Sequence, residues 1–296
     1  MQDLGITEFE LRNFSNKNTM KKIYPNIQLT TAFSPPSSKI DLIQRKRLFD
    51  LLEQGRLQPC VWITAAAGYG KTTLMSSYLD QQQELRIWYS LRAADADLIR
   101  FFQHFTQTIN LQFPELDLPK ISLINMVGPE AFGEVFFSAL KAIPLTLVLD
   151  DYHHLGKDSL VHSAISSGLE RLETGRWLIA SREPPPFQLT RLVANGVIDL
   201  IATDALRFTI DETRHLLSQH NPEKISDDIL QTLYSLSEGW VAGLILLIKQ
   251  QQIGRLPKPA DGLVFGYFRH EVLSQFNAET RRFLIICALI PDIKPS

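Results

Sequence analysis

The feature that most constrains the fold is a short apolar run that enters a turn of small residues and continues into a helix. Residues 61–79 read VWITAAAGYGKTTLMSSYL. The apolar run predicts a buried strand, and Lys71, Thr72 and Thr73 lie at the start of the predicted helix. The order of strand, turn and helix is typical of a phosphate-binding loop. The alternative is a tight strand-to-helix connection capped by Thr72 or Thr73.

The turn matches most of the phosphate-loop pattern, which is glycine, four residues, glycine, lysine, and serine or threonine. Ala65 stands at the position of the first glycine. Small residues let backbone N–H groups turn inward around an anion, and the N-terminus of the following helix favours negative charge. We therefore predict that the Thr72 hydroxyl ligates Mg²⁺ and that nucleotide phosphates are bound by Ala67, Gly68, Tyr69, Gly70, Lys71, Thr72 and Thr73.

A second candidate site lies at the end of another apolar run, LTLVLDDYHH, residues 145–154. In P-loop NTPases an acidic residue at a strand end completes the metal site beside the loop hydroxyl. Asp150 is the predicted ligand of Mg²⁺, and Asp151 is predicted to orient or activate the attacking water. The alternative is an acidic turn without a ligand.

A third candidate is Arg182 in LIASREPPP, residues 178–186. Ligands of open α/β sheets gather at the carboxyl ends of the strands, so an arginine there can contact a γ-phosphate. The alternative is a surface arginine that begins a loop.

The order of the apolar runs predicts an open α/β fold with a mainly parallel sheet flanked by helices. Helical patterns separate most of the runs, and beyond residue 206 only helical patterns follow. We predict a loose tail over residues 1–30, a nucleotide-binding domain over 31–205, a helical lid over 206–255, and a further helical segment over 262–296. The predicted strands are residues 60–65, 85–91, 144–151, 176–182 and 197–202.

Composition narrows the class of protein. The formal net charge is −2, so no global field attracts nucleic acid or anionic lipid. No apolar run reaches the about 18 residues of a membrane-spanning helix, and the first residues lack the order of a secretory signal. Cys60 and Cys287 lie in apolar context and are expected to be reduced. We therefore expect a cytoplasmic protein without a membrane contact.

The sequence contains two further groups of polar residues that could form sites. His153, His154 and His162 lack further ligands at metal-binding spacing, so we interpret them as loop and surface residues. The basic run of residues 45–47 is interpreted as a solvated helix face.

The motifs together resemble the STAND class of signal-transduction P-loop ATPases, and within it the N-terminal module of the maltose-type, LuxR-related transcriptional activators. The motifs that carry the resemblance are AAAGYGKTTL, IWYSL, LVLDDYHHL, LIASREPP, LRFTIDE and SEGWVAGLILL. FRHEVLSQFNAETRRFLIICALI resembles the beginning of that family's winged-helix segment. The resemblance implies an active ATP-bound state and a resting ADP-bound state that slow hydrolysis restores. It also implies that residues 68–73 hold phosphates, Asp150 supports Mg²⁺, Arg182 senses the γ-phosphate and Gly239 lies in the lid motif.

The resemblance also bears on partners, because this family usually continues into a sensor domain and a helix-turn-helix domain. It implies a small-molecule or protein inducer, DNA contact through a domain absent from this chain, and nucleotide-dependent self-association. Two alternatives to the switch remain open. One is a turnover ATPase that performs remodelling work, and the other is an interaction module whose phosphate loop is degenerate at Ala65.

Overall fold

The structure, a computed structural model, describes residues 43–82, 85–171, 175–220, 226–252 and 278–282. The predicted tail, Cys287 and nearly all of the predicted winged-helix segment lie outside the described residues. The described chain forms two compact units. One contains residues up to Ala66 and Lys71–Leu206, and the other contains Ala67–Gly70 and residues from Arg207 onward.

The first unit is built on a five-stranded sheet with strand order β2-β3-β4-β1-β5, in which every pair of neighbours is parallel. The predicted open parallel sheet is confirmed, and each predicted strand agrees with the observed one to within about two residues at each end. The strands are β1 Cys60–Thr64, β2 Arg86–Ser90, β3 Thr146–Asp150, β4 Arg176–Ser181 and β5 Ile198–Ile201.

Helices flank this sheet and explain why most of its strands have continuous apolar sequences. The exception is β5 at the end of the sheet, where Leu200 is 48% exposed. All five residues of β3 are buried, and Asp150 is its charged member. Parallel strands that are covered by helices on both faces are shielded from solvent. A charged side chain in such a strand is therefore tolerated only where another group pairs with it or donates a hydrogen bond to it. The helices of this unit are α1 Lys46–Gln54, α2 Lys71–Gln82, α3 Leu98–Gln112, α4 Ile124–Val127, α5 Pro129–Ser138, α6 Val161–Leu169, α7 Thr190–Ala194 and α8 Thr203–Leu206.

Two glycines bring α5 and α6 close together. A methyl group added at Gly133 would fall inside contact distance of the backbone of Ala164, and one added at Gly168 would overlap the ring of Phe137. The fully buried side chains of Phe132 and Phe136 also lie on α5. The spacing of these two helices therefore depends on residues without a Cβ.

The interpretation of the basic run at the start of α1 as a solvated face is wrong for Arg45 and Arg47, although Lys46 is exposed. Arg45 is 7% exposed and donates a 2.8 Å hydrogen bond to the carbonyl oxygen of Leu206. Arg47 donates a 2.6 Å hydrogen bond to the carbonyl oxygen of Ala205. The last carbonyls of a helix lack partners within the helix, and the guanidinium groups satisfy those of α8.

The second unit contains α9 Ile210–His220, α10 Asp227–Ser237 and α11 Val241–Gln252. Ser226 caps α10, since its Oγ accepts a 3.4 Å hydrogen bond from the N–H of Ile229. Gly239 has φ +75°, and an added Cβ would lie 2.6 Å from the carbonyl oxygen of Phe208, so this turn requires glycine. No helix in the described part of the chain is long and apolar enough to cross a membrane.

Candidate nucleotide-binding site

The candidate residues of the first unit lie at one edge of the sheet, where the carboxyl ends of parallel strands meet. Strand β4 lies between β1 and β3, so its carboxyl end is next to those of both. Asp150 is the last residue of β3, and Arg182 directly follows the last residue of β4. This sheet order places two residues that are distant in sequence at neighbouring strand ends.

The hydroxyl of Thr72 donates a 2.9 Å hydrogen bond to Oδ2 of Asp150. The backbone N–H of Asp151 donates to Oδ1 of Asp150 at 3.0 Å. Asp150 is 2% exposed, and burial together with the neighbouring Asp151 raises its pKa to about 6. A hydroxyl and a carboxylate oxygen at one point are the hard oxygen ligands that Mg²⁺ prefers, so this pair is suited to that ion.

Lys71 is buried, and its ammonium group is bonded to the loop that precedes it. Its Nζ donates to the carbonyl oxygens of Ala65 at 2.7 Å and Ala66 at 3.1 Å. Burial lowers the pKa of Lys71 to about 8, Asp151 and Asp150 oppose that change, and Arg182 adds to it. The effect of burial on this pKa is therefore larger than that of the two carboxylates.

Ala65 departs from the phosphate-loop pattern without distorting the backbone. Its N–H donates to the carbonyl oxygen of Ser181 at 3.2 Å. Ala65 is not among the residues with positive φ, so its conformation does not require glycine. The departure at Ala65 therefore gives no conformational reason to regard the loop as degenerate.

Asp151 has a backbone conformation that is uncommon for a residue with a side chain. Its φ is 56° and its ψ is 40°, in the left-handed region that aspartate tolerates better than most residues. Its side chain is 43% exposed, in contrast to that of Asp150. The turn thus separates two adjacent carboxylates into a buried and an accessible one.

The interpretation of His153 as a surface residue is wrong, because the structure places it within a charged cluster formed by Lys71, Asp151 and Arg182. Its Nδ1 lies 3.9 Å from Oδ1 of Asp151, its side chain is 14% exposed, and within the described residues Nδ1 has no hydrogen-bond partner. Burial, with contributions from His154 and Arg182, lowers the pKa of His153 to about 4, so the ring is neutral at pH 7. The sequence signal that could have found it is its position two residues after Asp151.

His162 was also misread, because it is buried rather than exposed. Its ring nitrogens lie 2.9 Å from the hydroxyl of Tyr152 and 2.6 Å from the carbonyl oxygen of Gly156. Both ring nitrogens are satisfied, so His162 supports the turn after β3 structurally.

The loop segment 67–70 belongs to the second unit, where its two glycines have positive φ. Gly68 has φ +81° and Gly70 has φ +79°, conformations that glycine adopts without a steric penalty. The indole Nε1 of Trp240 donates a 3.0 Å hydrogen bond to the carbonyl oxygen of Ala67. Trp240 lies in the motif SEGWVAGLILL, which contributes to the family resemblance but gives no sign of a contact with the loop.

The chain is similar in sequence to several known proteins. The transcriptional regulator MalT of Vibrio parahaemolyticus is 27% identical over 265 residues, covering 84% of this chain and 29% of the regulator. MalT of Vibrio cholerae is 28% identical over 273 residues, covering 86% and 30%. The serine/threonine-protein kinase PknK of Mycobacterium tuberculosis is 24% identical, covering 88% and 25%. The chain thus spans about three-tenths of the length of the MalT regulators it matches.

Solved structures show the same fold. A Signal Transduction ATPase with Numerous Domains (STAND) that carries a tetratricopeptide repeat sensor, from Pyrococcus horikoshii, has a TM-score of 0.57 and 17% identity, covering 88% of this chain and 36% of that one. A Walker-type ATPase of Pyrococcus abyssi has a TM-score of 0.51 and 15% identity, covering 84% and 75%. No protein-family model matches the chain. The chain is similar to MalT-type regulators and has the fold of P-loop ATPases, which confirms the predicted resemblance.

Proposed function

We propose that this chain is the ATP-binding switch module of a transcriptional regulator, with an active ATP-bound state and a resting ADP-bound state. The observation that carries the proposal is the hydrogen bond from Thr72 to Asp150 beside the buried ammonium of Lys71. A hydroxyl, a carboxylate and an ammonium at one strand edge are the groups that hold a magnesium nucleotide in P-loop proteins.

The proposed site has separate groups for the phosphates, for Mg²⁺ and for the attacking water. Residues 67–73 would bind the phosphates, with Lys71 supplying positive charge. Thr72 and Asp150 would hold Mg²⁺, which when bound neutralises charge on the phosphate oxygens. Asp151, with its accessible carboxylate, would orient the attacking water.

Arg182 gives the switch its physical basis. A ligand shifts a conformational equilibrium only if it binds the two states with unequal affinity. Arg182 lies close enough to influence the pKa of Lys71 and of His153. A guanidinium there can pair with a γ-phosphate, which ADP lacks, so ATP and ADP would be bound by different sets of contacts.

The proposed function also concerns three kinds of partner, which are an inducer, DNA and further copies of the chain. The MalT regulators matched by this chain are helix-turn-helix transcriptional regulators by name, and this chain aligns with less than a third of their length. We therefore propose that inducer binding and DNA binding take place in other domains of a longer regulator. Self-association would depend on the bound nucleotide.

The deciding experiment measures the nucleotide retained by the purified chain together with its steady-state rate of ATP hydrolysis. Retained ADP with slow turnover supports the switch, and rapid turnover without retained nucleotide supports a remodelling ATPase instead. Titration with Mg²⁺ and ADP tests binding directly, and Lys71→Ala should weaken it strongly. If the unsubstituted chain binds neither nucleotide, the proposal is wrong and the loop is degenerate.

A further inference from the structure

The loop segment 67–70 is held by two hydrogen bonds from the start of α11. The indole Nε1 of Trp240 donates to the carbonyl oxygen of Ala67 at 3.0 Å, across 173 positions of sequence. The backbone N–H of Ala242 donates to the carbonyl oxygen of Gly68 at 3.0 Å. Two consecutive carbonyl groups of the loop are therefore bonded to one short segment of the second unit.

Two glycines make room for the indole. A Cβ at Gly68 would lie 2.7 Å from Nε1 of Trp240 and 2.6 Å from Cβ of Ala242. A Cβ at Gly243 would overlap the six-membered ring of Trp240. The indole thus lies between the backbones of Gly68 and Gly243, where a side chain at either position would displace it.

The backbone that carries the indole is itself fixed. The N–H of Trp240 donates to the carbonyl oxygen of Ser237 at 2.8 Å, and its carbonyl oxygen accepts from the N–H of Leu244 at 2.9 Å. The preceding residue, Gly239, accepts a 2.9 Å hydrogen bond from the N–H of Phe208. A donor on such a support can orient the group it binds, because its own position is set by the surrounding bonds.

The orientation of the carbonyls determines the orientation of the amides. In a planar trans peptide the C=O and N–H groups point in opposite directions. Holding the carbonyl of Ala67 toward Trp240 therefore turns the N–H of Gly68 away from it. Holding the carbonyl of Gly68 toward Ala242 does the same for the N–H of Tyr69.

We propose that Trp240 is a positioning residue for nucleotide binding, which orients the N–H groups of Gly68 and Tyr69 through its hydrogen bond to Ala67. This proposal rests on the function proposed above and adds a residue that does not itself touch the nucleotide. Because the loop segment binds phosphates common to ATP and ADP, Trp240 should affect both affinities equally. Binding free energies are reciprocal, so nucleotide binding should in turn strengthen the contact of Trp240 with the loop.

The test compares Trp240→Phe with Trp88→Phe in the same chain. Both substitutions keep an aromatic ring and remove one indole N–H. The control loses the 3.2 Å hydrogen bond from Trp88 Nε1 to Oγ of Ser90 in β2. Dissociation constants for Mg²⁺–ADP and for a non-hydrolysable ATP analogue are measured by calorimetry, and the unfolding midpoint is measured without nucleotide.

We expect Trp240→Phe to weaken the affinity for both ligands by about 3- to 10-fold, which is the effect of losing one hydrogen bond. The ratio of the two affinities should be unchanged. Trp88→Phe should leave both constants at the parental values. Hydrogen–deuterium exchange of nucleotide-free protein should accelerate in a peptide that contains residues 67–70 in Trp240→Phe alone. This measurement tests the positioning role even if the affinity of the variant is too weak to determine.

Parental affinities and parental exchange in Trp240→Phe would overturn the proposal, as would equal losses in the two tryptophan variants. The Lys71→Ala variant separates this failure from a failure of the proposed function. If the parent binds ADP, Lys71→Ala loses it and Trp240→Phe retains it, the nucleotide site stands and the role of Trp240 is refuted.

Discussion

The hydroxyl of Thr72 and the carboxylate of Asp150 are hydrogen-bonded at 2.9 Å although they are 78 positions apart in the sequence. Thr72 lies in the first turn of α2, and Asp150 is the final residue of β3. The loop helix and the acidic strand thus meet in the folded chain. A bond between these two oxygens makes the pair a compact oxygen donor set for a small divalent cation.

Thr72→Val should weaken the apparent affinity for Mg²⁺ in the presence of ADP by about 10- to 100-fold, because the substitution removes one ligand and keeps the side-chain volume. Titration of Mg²⁺ at fixed ADP measures this. Thr108→Val is the matched control, since the hydroxyl of Thr108 bonds the carbonyl of His104 within α3. An unchanged Mg²⁺ requirement in Thr72→Val would remove Thr72 from the metal site.

The affinity for ADP should fall as the pH rises through about 8, the pKa of Lys71. The protonated ammonium binds phosphate, and bound phosphate raises its pKa. Affinity should therefore be greatest between about pH 6, the pKa of Asp150, and pH 8, and should decrease above pH 8 by up to about tenfold per pH unit. Lys71→Arg remains charged throughout, so its affinity should be constant from about pH 7 to about pH 9.5. The same pH dependence in both proteins would assign the titration to another group.

Arg182→Ala should lower the ratio of ATP affinity to ADP affinity by about 10- to 100-fold, the value of a charge-assisted hydrogen bond to the γ-phosphate. Calorimetry with ADP and a non-hydrolysable ATP analogue gives the ratio. Arg191→Ala is the control, because Arg191 pairs with Glu170 on the surface. Identical ratios in Arg182→Ala and the parent would leave the switch without its proposed sensor.

Asp151→Asn should reduce ATP hydrolysis by about 100-fold or more and leave ADP affinity within about twofold of the parent. Asparagine tolerates the left-handed backbone of this position, so the substitution removes the charge without straining the turn. Single-turnover hydrolysis measures the rate. Asp158→Asn, in the same connection and exposed, should hydrolyse ATP at the parental rate.

Gly133→Ala should destabilise the chain by about 1–3 kcal/mol, because the added methyl group meets the backbone of Ala164. At an exposed helical site the same change would stabilise by about 1 kcal/mol, so the sign reports the packing of α5 against α6. Urea unfolding provides the free energy. Val135→Ala, at a position on α5 with 52% exposure, should have a much smaller effect. A stabilised Gly133→Ala would show that the two helices can separate at little cost.

The fold could be predicted because its signals are local. The apolar runs of β1, β3 and β4 mark strands that are almost wholly buried, whereas β5, at the end of the sheet, exposes Leu200. The loop after β1 has the residues that a strand-to-helix phosphate turn requires. The position of Asp150 at a strand end followed from the same pattern. Parallel strands with intervening helices then bring these ends to one edge of the sheet.

The errors of sequence reasoning concern polar residues whose partners are distant. Arg45 resembles any surface cation, yet it is buried against the end of α8. His162 resembles a loop histidine, yet both of its ring nitrogens are bonded. A polar side chain can be buried in each case because a distant segment supplies its hydrogen-bond partner. The residue type alone does not indicate whether such a partner is present.

By itself the sequence determined the strand–loop–helix unit, the parallel sheet and the identity of the charged residues at its edge, because those depend on periodicity and on residues adjacent in the chain. The tertiary structure alone decided that Thr72 bonds Asp150, that His153 joins the charged cluster and that Trp240 holds the carbonyl of Ala67. Such contacts are set by how distant segments pack, and a single hydrogen bond across many residues leaves no periodic trace in the sequence from which it could be inferred.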